Sequence, residues 1–183
     1  MRHLPNLICL ARIALIWPII GALVGANYDL ALVLFAVAAV SDGLDGYLAK
    51  RFGWTSELGK ALDPLADKLL LISVFVVCAD IGLVPWWLTI TAVSRDVMIV
   101  LGALVLRLWT GPLRSHPSVI SKINTLLQLA YLLGVITHAA GFGPPQGFLM
   151  TLAVVSVVTT LLSGFNYATE FVRTAWGAGP KTQ

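Results

Sequence analysis

Four carboxylates, Asp42, Asp45, Asp63 and Asp67, fall within 26 residues of a 183-residue chain that has only nine acidic residues in all. The first pair stands in Ser41-Asp42-Gly43-Leu44-Asp45-Gly46-Tyr47-Leu48-Ala49-Lys50, the second in Gly59-Lys60-Ala61-Leu62-Asp63-Pro64-Leu65-Ala66-Asp67-Lys68. The spacings i, i+3 and i, i+4 put each pair on one face of a helix, about one turn apart. Seventeen residues lie between Asp45 and Asp63. That is enough for one helix to end, a short link to cross and a second helix to start antiparallel, so that all four acids can converge. Converging hard oxygen ligands without His or Cys suit Mg²⁺ or Mn²⁺ rather than zinc. Lys50 and Arg51 add the positive charge that phosphate binding requires. Gly43, Gly46 and Gly59 leave room for a nucleotide or a neighbouring backbone, although any one of them could serve packing alone. Two ions shared by the aspartates could stabilise a diphosphate leaving group and position an attacking hydroxyl. Helix capping, or pairing with Lys60 and Lys68, accounts for one pair of aspartates but not for four.

The elements that must position these acids are apolar. The chain is 58% hydrophobic and 11% charged, against roughly 25% charged in soluble domains, which predicts an all-α integral membrane protein. Stretches near 8–26, 29–49, 62–82, 86–108, 120–140 and 147–171 are long enough to cross a hydrocarbon layer about 30 Å thick. They predict a six-transmembrane-helix bundle forming one domain over 1–176, with a disordered tail at 177–183. The links Ala26–Asp29, Asp80–Pro85 and Ala139–Gln146 contain no Lys or Arg. Arg2, Lys50, Arg51, Lys60, Arg107, Arg114, Arg173 and Lys181 fall on the other side, so both termini and the aspartate link are expected in the cytoplasm. The expected location is a bacterial cytoplasmic membrane. Arg12 interrupts the first apolar run, which favours a retained helix over a signal peptide. Pro18 is expected to kink or break that helix, and Trp86-Trp87 fits an interfacial aromatic belt. The net charge of +3 comes without any basic run interleaved with aromatics, so nucleic acid is not an expected partner. Cys9 and Cys78 read as small buried hydrophobes, and His116 and His138 as loop or interface residues.

The aspartate stretch closely resembles the signature of the CDP-alcohol phosphatidyltransferase family, Asp-x-x-Asp-Gly-x-x-Ala-Arg, eight residues, then Gly-x-x-x-Asp-x-x-x-Asp. Asp42, Asp45, Gly46, Ala49, Gly59, Asp63 and Asp67 match, and Arg51 to Leu58 fill the gap. One position departs: Lys50 stands for the arginine, keeping the charge but losing the bidentate fork. The resemblance implies a six-helix membrane enzyme with two Mg²⁺ or Mn²⁺ ions held by Asp42, Asp45 and Asp63, with Asp67 as the fourth acid and the general base. Gly46, Lys50, Ser56 and Gly59 are similar to positions that contact the CDP part. The reaction implied is attack of an alcohol on the β-phosphorus of CDP-diacylglycerol with release of CMP, the lipid tails remaining among membrane lipids. A homodimer is implied by the resemblance alone.

Pro5-Asn6-Leu7 with Arg12, and Leu62-Asp63-Pro64-Leu65-Ala66-Asp67-Lys68, look like the glycerophospholipid branch of the family. One member of that branch uses glycerol 3-phosphate, another phosphatidylglycerol. The former usually shows Gly-Lys-x-Lys-Thr-x-x-Gln in the fifth helix, where this chain has Ser121-Lys122-Ile123-Asn124-Thr125-Leu126-Leu127-Gln128. Lys122 is kept as a substrate contact, while the second lysine is Asn124. A phosphomonoester dianion benefits from two cations and a phosphodiester needs fewer. Ser94-Arg95-Asp96 likewise looks like the cardiolipin-forming pattern, so phosphatidylglycerol is the favoured acceptor and glycerol 3-phosphate the alternative. Ionisable residues inside an apolar helix usually have a function or a partner. Arg95 is therefore read as an acceptor-phosphate contact, the alternative being a structural ion pair with Asp96. A membrane cation transporter would also carry intramembrane acids, but usually near mid-membrane in broken or repeated helices.

Overall fold

The computed structural model describes the backbone of residues 4–52, 57–110 and 119–177, and the side chains of 10–41, 68–102, 105 and 119–169. Six helices follow one another: α1 (Leu4–Val24), α2 (Tyr28–Phe52), α3 (Glu57–Asp80), α4 (Trp86–Thr110), α5 (Val119–Ala139) and α6 (Gln146–Gly177). Each coincides with one apolar stretch of the sequence. Gly177, the first residue of the expected tail, closes α6; 178–183 lie outside the described residues.

Three links free of lysine and arginine form tight turns of one design. Ala26 N–H donates to Leu23 C=O and Asn27 N–H to Ala22 C=O. The same pair of bonds recurs from Gly82 to Ala79 and Leu83 to Cys78, and from Gly141 to His138 and Phe142 to Thr137. This is a Schellman cap, which satisfies the last carbonyls of a helix and needs a left-handed residue after it. Gly82 (φ 79°) and Gly141 (φ 93°) supply that conformation freely, whereas at the first turn Ala26 adopts φ 54°. The following helices start at once. The Asn27 side chain accepts from Leu30 N–H at 3.3 Å, an N-cap bond, and the Pro85 and Pro145 carbonyls accept the first helical N–H groups of α4 and α6. His138 closes the last turn through Nδ1, 2.9 Å from the Pro144 carbonyl, in keeping with a loop role; His116 lies outside the described residues.

α1 runs through Pro18 without interruption, so of the two outcomes expected there the break does not occur. Proline removes one N–H and so one bond, to the carbonyl four residues back. Here that local loss is outweighed by the turns on either side, where Leu15, Ile19, Ala22 and Leu23 pack into the core.

The helices pack as α1 on α2 and α3, α5 on α2, α3 and α6, and α4 on α3 and α6. The apolar core sits at the end of the bundle that carries the three turns. Ile19, Leu23, Phe35, Val74, Phe75, Leu88, Leu132, Ile136 and Leu149 are all nearly inaccessible there, and Cys78 is a free thiol buried among them. The side chain of Cys9 lies outside the described residues. The exterior is apolar on every helix, with Leu10, Val33, Val76, Ile90, Leu126 and Leu161 among many large exposed side chains. A water-soluble monomer rarely exposes contiguous apolar patches beyond a few hundred Å². Among the described residues, Val119–Ala139 and Gln146–Thr169 are long and apolar enough to cross a membrane, with shorter apolar runs at Leu10–Val24 and Tyr28–Ser41. Trp86, Trp87, Phe142 and Phe148 are exposed around the turn end, the arrangement expected of an interfacial belt.

Because a left-handed alanine costs about 1–2 kcal/mol, Ala26→Gly is expected to raise the thermal midpoint of the purified protein in detergent. An unchanged or lower midpoint would show that the turn does not strain Ala26.

Candidate active site

Away from the turn end, the same helix faces that bury apolar side chains begin to bury polar ones. On α6 the inward stripe runs Leu149, Ala153, Ser156, Thr160, Ser163 and Tyr167, and on α5 it runs Val135, Leu132, Gln128, Asn124 and Ser121. Steps of three and four keep each stripe on one face, so the α5–α6 seam changes character along its length without changing direction. Asn124 is fully buried, and its carboxamide oxygen accepts from the hydroxyls of Thr159 and Thr160, both at 2.8 Å. Gln128 Nε2 is 3.5 Å from Thr160 Oγ1. The Asn124 amide nitrogen and the Ser156 hydroxyl are buried without a partner.

One turn further along α5, the seam reaches a charged cluster. On α4 the buried stripe Leu88, Thr89, Ala92, Arg95, Asp96 brings two adjacent charged residues inside, both less than 5% exposed. Asp96 Oδ1 accepts from Arg95 Nη1 at 2.6 Å and from Lys68 Nζ of α3 at 2.5 Å. Arg95 Nη2 donates to Ser121 Oγ of α5 at 2.6 Å and to Ser163 Oγ of α6 at 2.5 Å. The guanidinium also stands 6.0 Å from the centre of the Tyr167 ring, within cation–π range. Arg95 Nε has no partner. A buried charge that is neither paired nor hydrogen-bonded is expensive, and this arrangement answers that cost with a carboxylate, two hydroxyls and a ring face drawn from α4, α5 and α6.

The aspartates lie beside this cluster along the chain. Asp42 is ten residues before the end of α2 and Asp67 ten residues after the start of α3; Asp45 and Asp63 are seven and six residues from the same two ends. At 1.5 Å per residue each pair lies within about 15 Å of the helix end that borders residues 53–56 in the chain. Lys68, directly after Asp67 in the chain, ties α3 to α4 through Asp96, as the Thr89 hydroxyl does through the Phe75 carbonyl. The side chains of the four aspartates lie outside the described residues, as does the whole of Ser56; Gly46 and Lys50 fall in α2 and Gly59 in α3. Among the described residues no group of three or more His, Cys, Asp or Glu could hold a metal ion. The donor set at the ends of α2 and α3, four carboxylates alone, is chemically suited to Mg²⁺ or Mn²⁺.

Of the remaining expected contacts, Arg95 stands at the centre of the cluster and makes the Asp96 ion pair named as its alternative role. Lys122 is exposed on α5, about 100° round the helix from Ser121, and is not joined to Arg95. The roles of Lys68, Ser163 and Tyr167 around Arg95 escaped the sequence reading. Polar residues recurring at steps of three and four in the apolar helices α5 and α6 were the signal that could have found Ser163.

A model of CDP-alcohol phosphatidyltransferases matches residues 2–162, which include all four aspartates, Arg95 and Lys122. Human cardiolipin synthase (CMP-forming) is 32% identical over 181 residues, 90% of this chain and 60% of the human protein, so the chain spans less than two thirds of that relative. The CDP-diacylglycerol–glycerol-3-phosphate 3-phosphatidyltransferase of Bacillus subtilis is also 32% identical, over 184 residues, 91% of this chain and 94% of the relative. The human relative is named for the cardiolipin it forms and the Bacillus relative for transfer to glycerol 3-phosphate, and equal identity does not choose between them. With the aspartate pattern carried on α2 and α3, and the family match running over most of its length, the chain belongs to the CDP-alcohol phosphatidyltransferase family.

Proposed function

We propose that this chain is an enzyme of phospholipid biosynthesis that transfers the phosphatidyl group of CDP-diacylglycerol to phosphatidylglycerol, giving cardiolipin and CMP. The observation that carries this reading is the buried Lys68–Asp96–Arg95 cluster, set one residue from Asp67 and lined by serines of α5 and α6. It puts cationic donors where an anionic acceptor could meet the aspartate-bearing turns.

All six helices span the membrane in this reading, as a single domain. The apolar exterior and the turns without lysine or arginine support that topology, with both termini and the aspartate end on the cytoplasmic side. Asp42, Asp45, Asp63 and Asp67 would hold two Mg²⁺ or Mn²⁺ ions, which supply positive charge to the diphosphate and its leaving group when bound. Gly46, Lys50, Ser56 and Gly59 receive the CDP part. Asp67 takes the proton of the acceptor hydroxyl as that oxygen bonds to the β-phosphorus; the bond from this phosphorus to the bridging oxygen breaks, and CMP leaves with the electron pair. Arg95 contacts the acceptor phosphate through the edge that carries its unpartnered Nε. Lys122, on the exposed face of α5, attracts anionic headgroups from the membrane surface.

A phosphodiester acceptor is favoured because position 124 carries a neutral carboxamide bound to α6 threonines, not a second cation. Glycerol 3-phosphate is the competing acceptor, supported by the Bacillus relative. Membership of a transferase family leaves a cation transporter without support.

Purified protein supplied with CDP-diacylglycerol and Mn²⁺ or Mg²⁺ is expected to release CMP with phosphatidylglycerol, and cardiolipin should appear. CMP release with glycerol 3-phosphate alone would overturn the acceptor assignment. Asp67→Asn should lower CMP release at least about a hundredfold, the usual scale for a lost general base, without shifting the thermal midpoint. Turnover persisting in that variant would remove Asp67 as the base.

A further inference from the structure

The Arg95 guanidinium is held at two of its nitrogens and left open at the third. Nη1 donates to Asp96 Oδ1, and Nη2 donates to the hydroxyls of Ser121 and Ser163. The buried Nε has no acceptor. Buried donors are nearly always paired, so an orphan calls for a reason. A guanidinium is planar and rigid, so bonds at Nη1 and Nη2 also fix the direction of Nε–H. Asp96 already supplies the counter-charge that a buried arginine needs. The two hydroxyls add orientation and cancel none of the positive charge. Of the two, Ser163 is fully buried, while Ser121 is only half-buried. α6 comes close to the arginine at this point. A Cβ added at Gly164 would lie 3.9 Å from Arg95 Cγ, and the Tyr167 ring, one turn on from Ser163, stands 6.0 Å from the guanidinium.

We propose that Ser163 is a positioning residue for the acceptor. It holds Arg95 Nη2 so that Nε–H stays directed at the acceptor phosphate, and it acts through the arginine alone. This rests on the reading above in which Arg95 contacts that phosphate. The role is the same for either acceptor, because phosphatidylglycerol and glycerol 3-phosphate both carry a phosphate. Ser163 stands one residue beyond the stretch that the family model matches.

The test uses full-length wild type, Ser163→Ala, Arg95→Lys and the double variant, in detergent with Mn²⁺. The readouts are the KM for the acceptor that the wild type uses, the KM for CDP-diacylglycerol, kcat and the thermal midpoint. Ser163→Ala is expected to raise the acceptor KM about tenfold or more, the scale of a hydrogen bond to a charged group, with the KM for CDP-diacylglycerol unchanged. In the Arg95→Lys background no Nη2 remains to be held. There the same substitution is expected to change the acceptor KM less than about twofold. An unchanged acceptor KM in Ser163→Ala, or an equal rise in both KM values, reduces Ser163 to a structural partner and overturns the proposal. Full additivity in the double variant overturns it too, because Ser163 would then act without Arg95. Should Ser163→Ala fail to fold, Ser163→Cys keeps a similar volume with a weaker acceptor and carries the same outcomes. An acceptor KM left at the wild-type value by Arg95→Lys refutes the Arg95 contact and this inference with it, while CMP release by the wild type still upholds the transferase reading. No CMP from the wild type with either acceptor refutes both.

Discussion

A carboxylate shared between a lysine and an arginine inside an apolar bundle is the constraint on which the rest of this structure depends. Neither Arg95 nor Asp96 can stay buried on α4 unless each finds partners, and those partners come from α3, α5 and α6. The requirement fixes more than two side chains. It ties α3 to α4 through Lys68, and α4 to α5 and α6 through Ser121 and Ser163. A helix pair held by apolar contacts alone could slide or turn by a residue at modest cost; one holding these bonds would have to break several at once.

The division of the bundle follows from that cluster. At one end, three short turns of like geometry lock the helices in hairpins and a dense apolar core fills the space between them. Towards the other end the same stripes carry Gln128, Asn124, Thr160, Ser163 and then the charges. Hydrogen bonds between apolar helices are worth about 0.6 kcal/mol on average, so the α5–α6 ladder adds orientation more than strength. The turn end holds the apolar core, and at the polar end Asp96 pairs with both Lys68 and Arg95.

Much of this was legible in the sequence, for physical reasons that differ from one residue to the next. The six helices could be read because the apolar runs are long and their links hold Gly, Pro and Asn, residues whose backbone preferences end helices. The placing of the aspartates on two successive helices could be read because Asp42, Asp45, Asp63 and Asp67 keep helical spacing. Of the two outcomes expected at Pro18 the break misled, since a missing N–H predicts a local defect but not whether the neighbouring turns of α1 are well packed. Asn124 could be recognised as an absent cation, yet its bonds to Thr159 and Thr160 depend on which helix lies opposite, and periodicity does not carry that information. The partners of Arg95 were hidden in the same way. Asp96 is its neighbour in sequence, but Ser121 and Ser163 come from 26 and 68 residues away, and Lys68, which bonds the same carboxylate, stands 28 residues before Asp96.

In the proposed function, phosphatidyl transfer depends on divalent metal that the four aspartates of α2 and α3 would hold. The most direct measurement is CMP release from CDP-diacylglycerol and phosphatidylglycerol by protein stripped of metal with a chelator and then titrated with Mn²⁺ or Mg²⁺. No CMP from the stripped protein, with turnover restored as either ion is added back and zinc unable to replace them, is the predicted result. Undiminished CMP release by the metal-free protein would contradict the account.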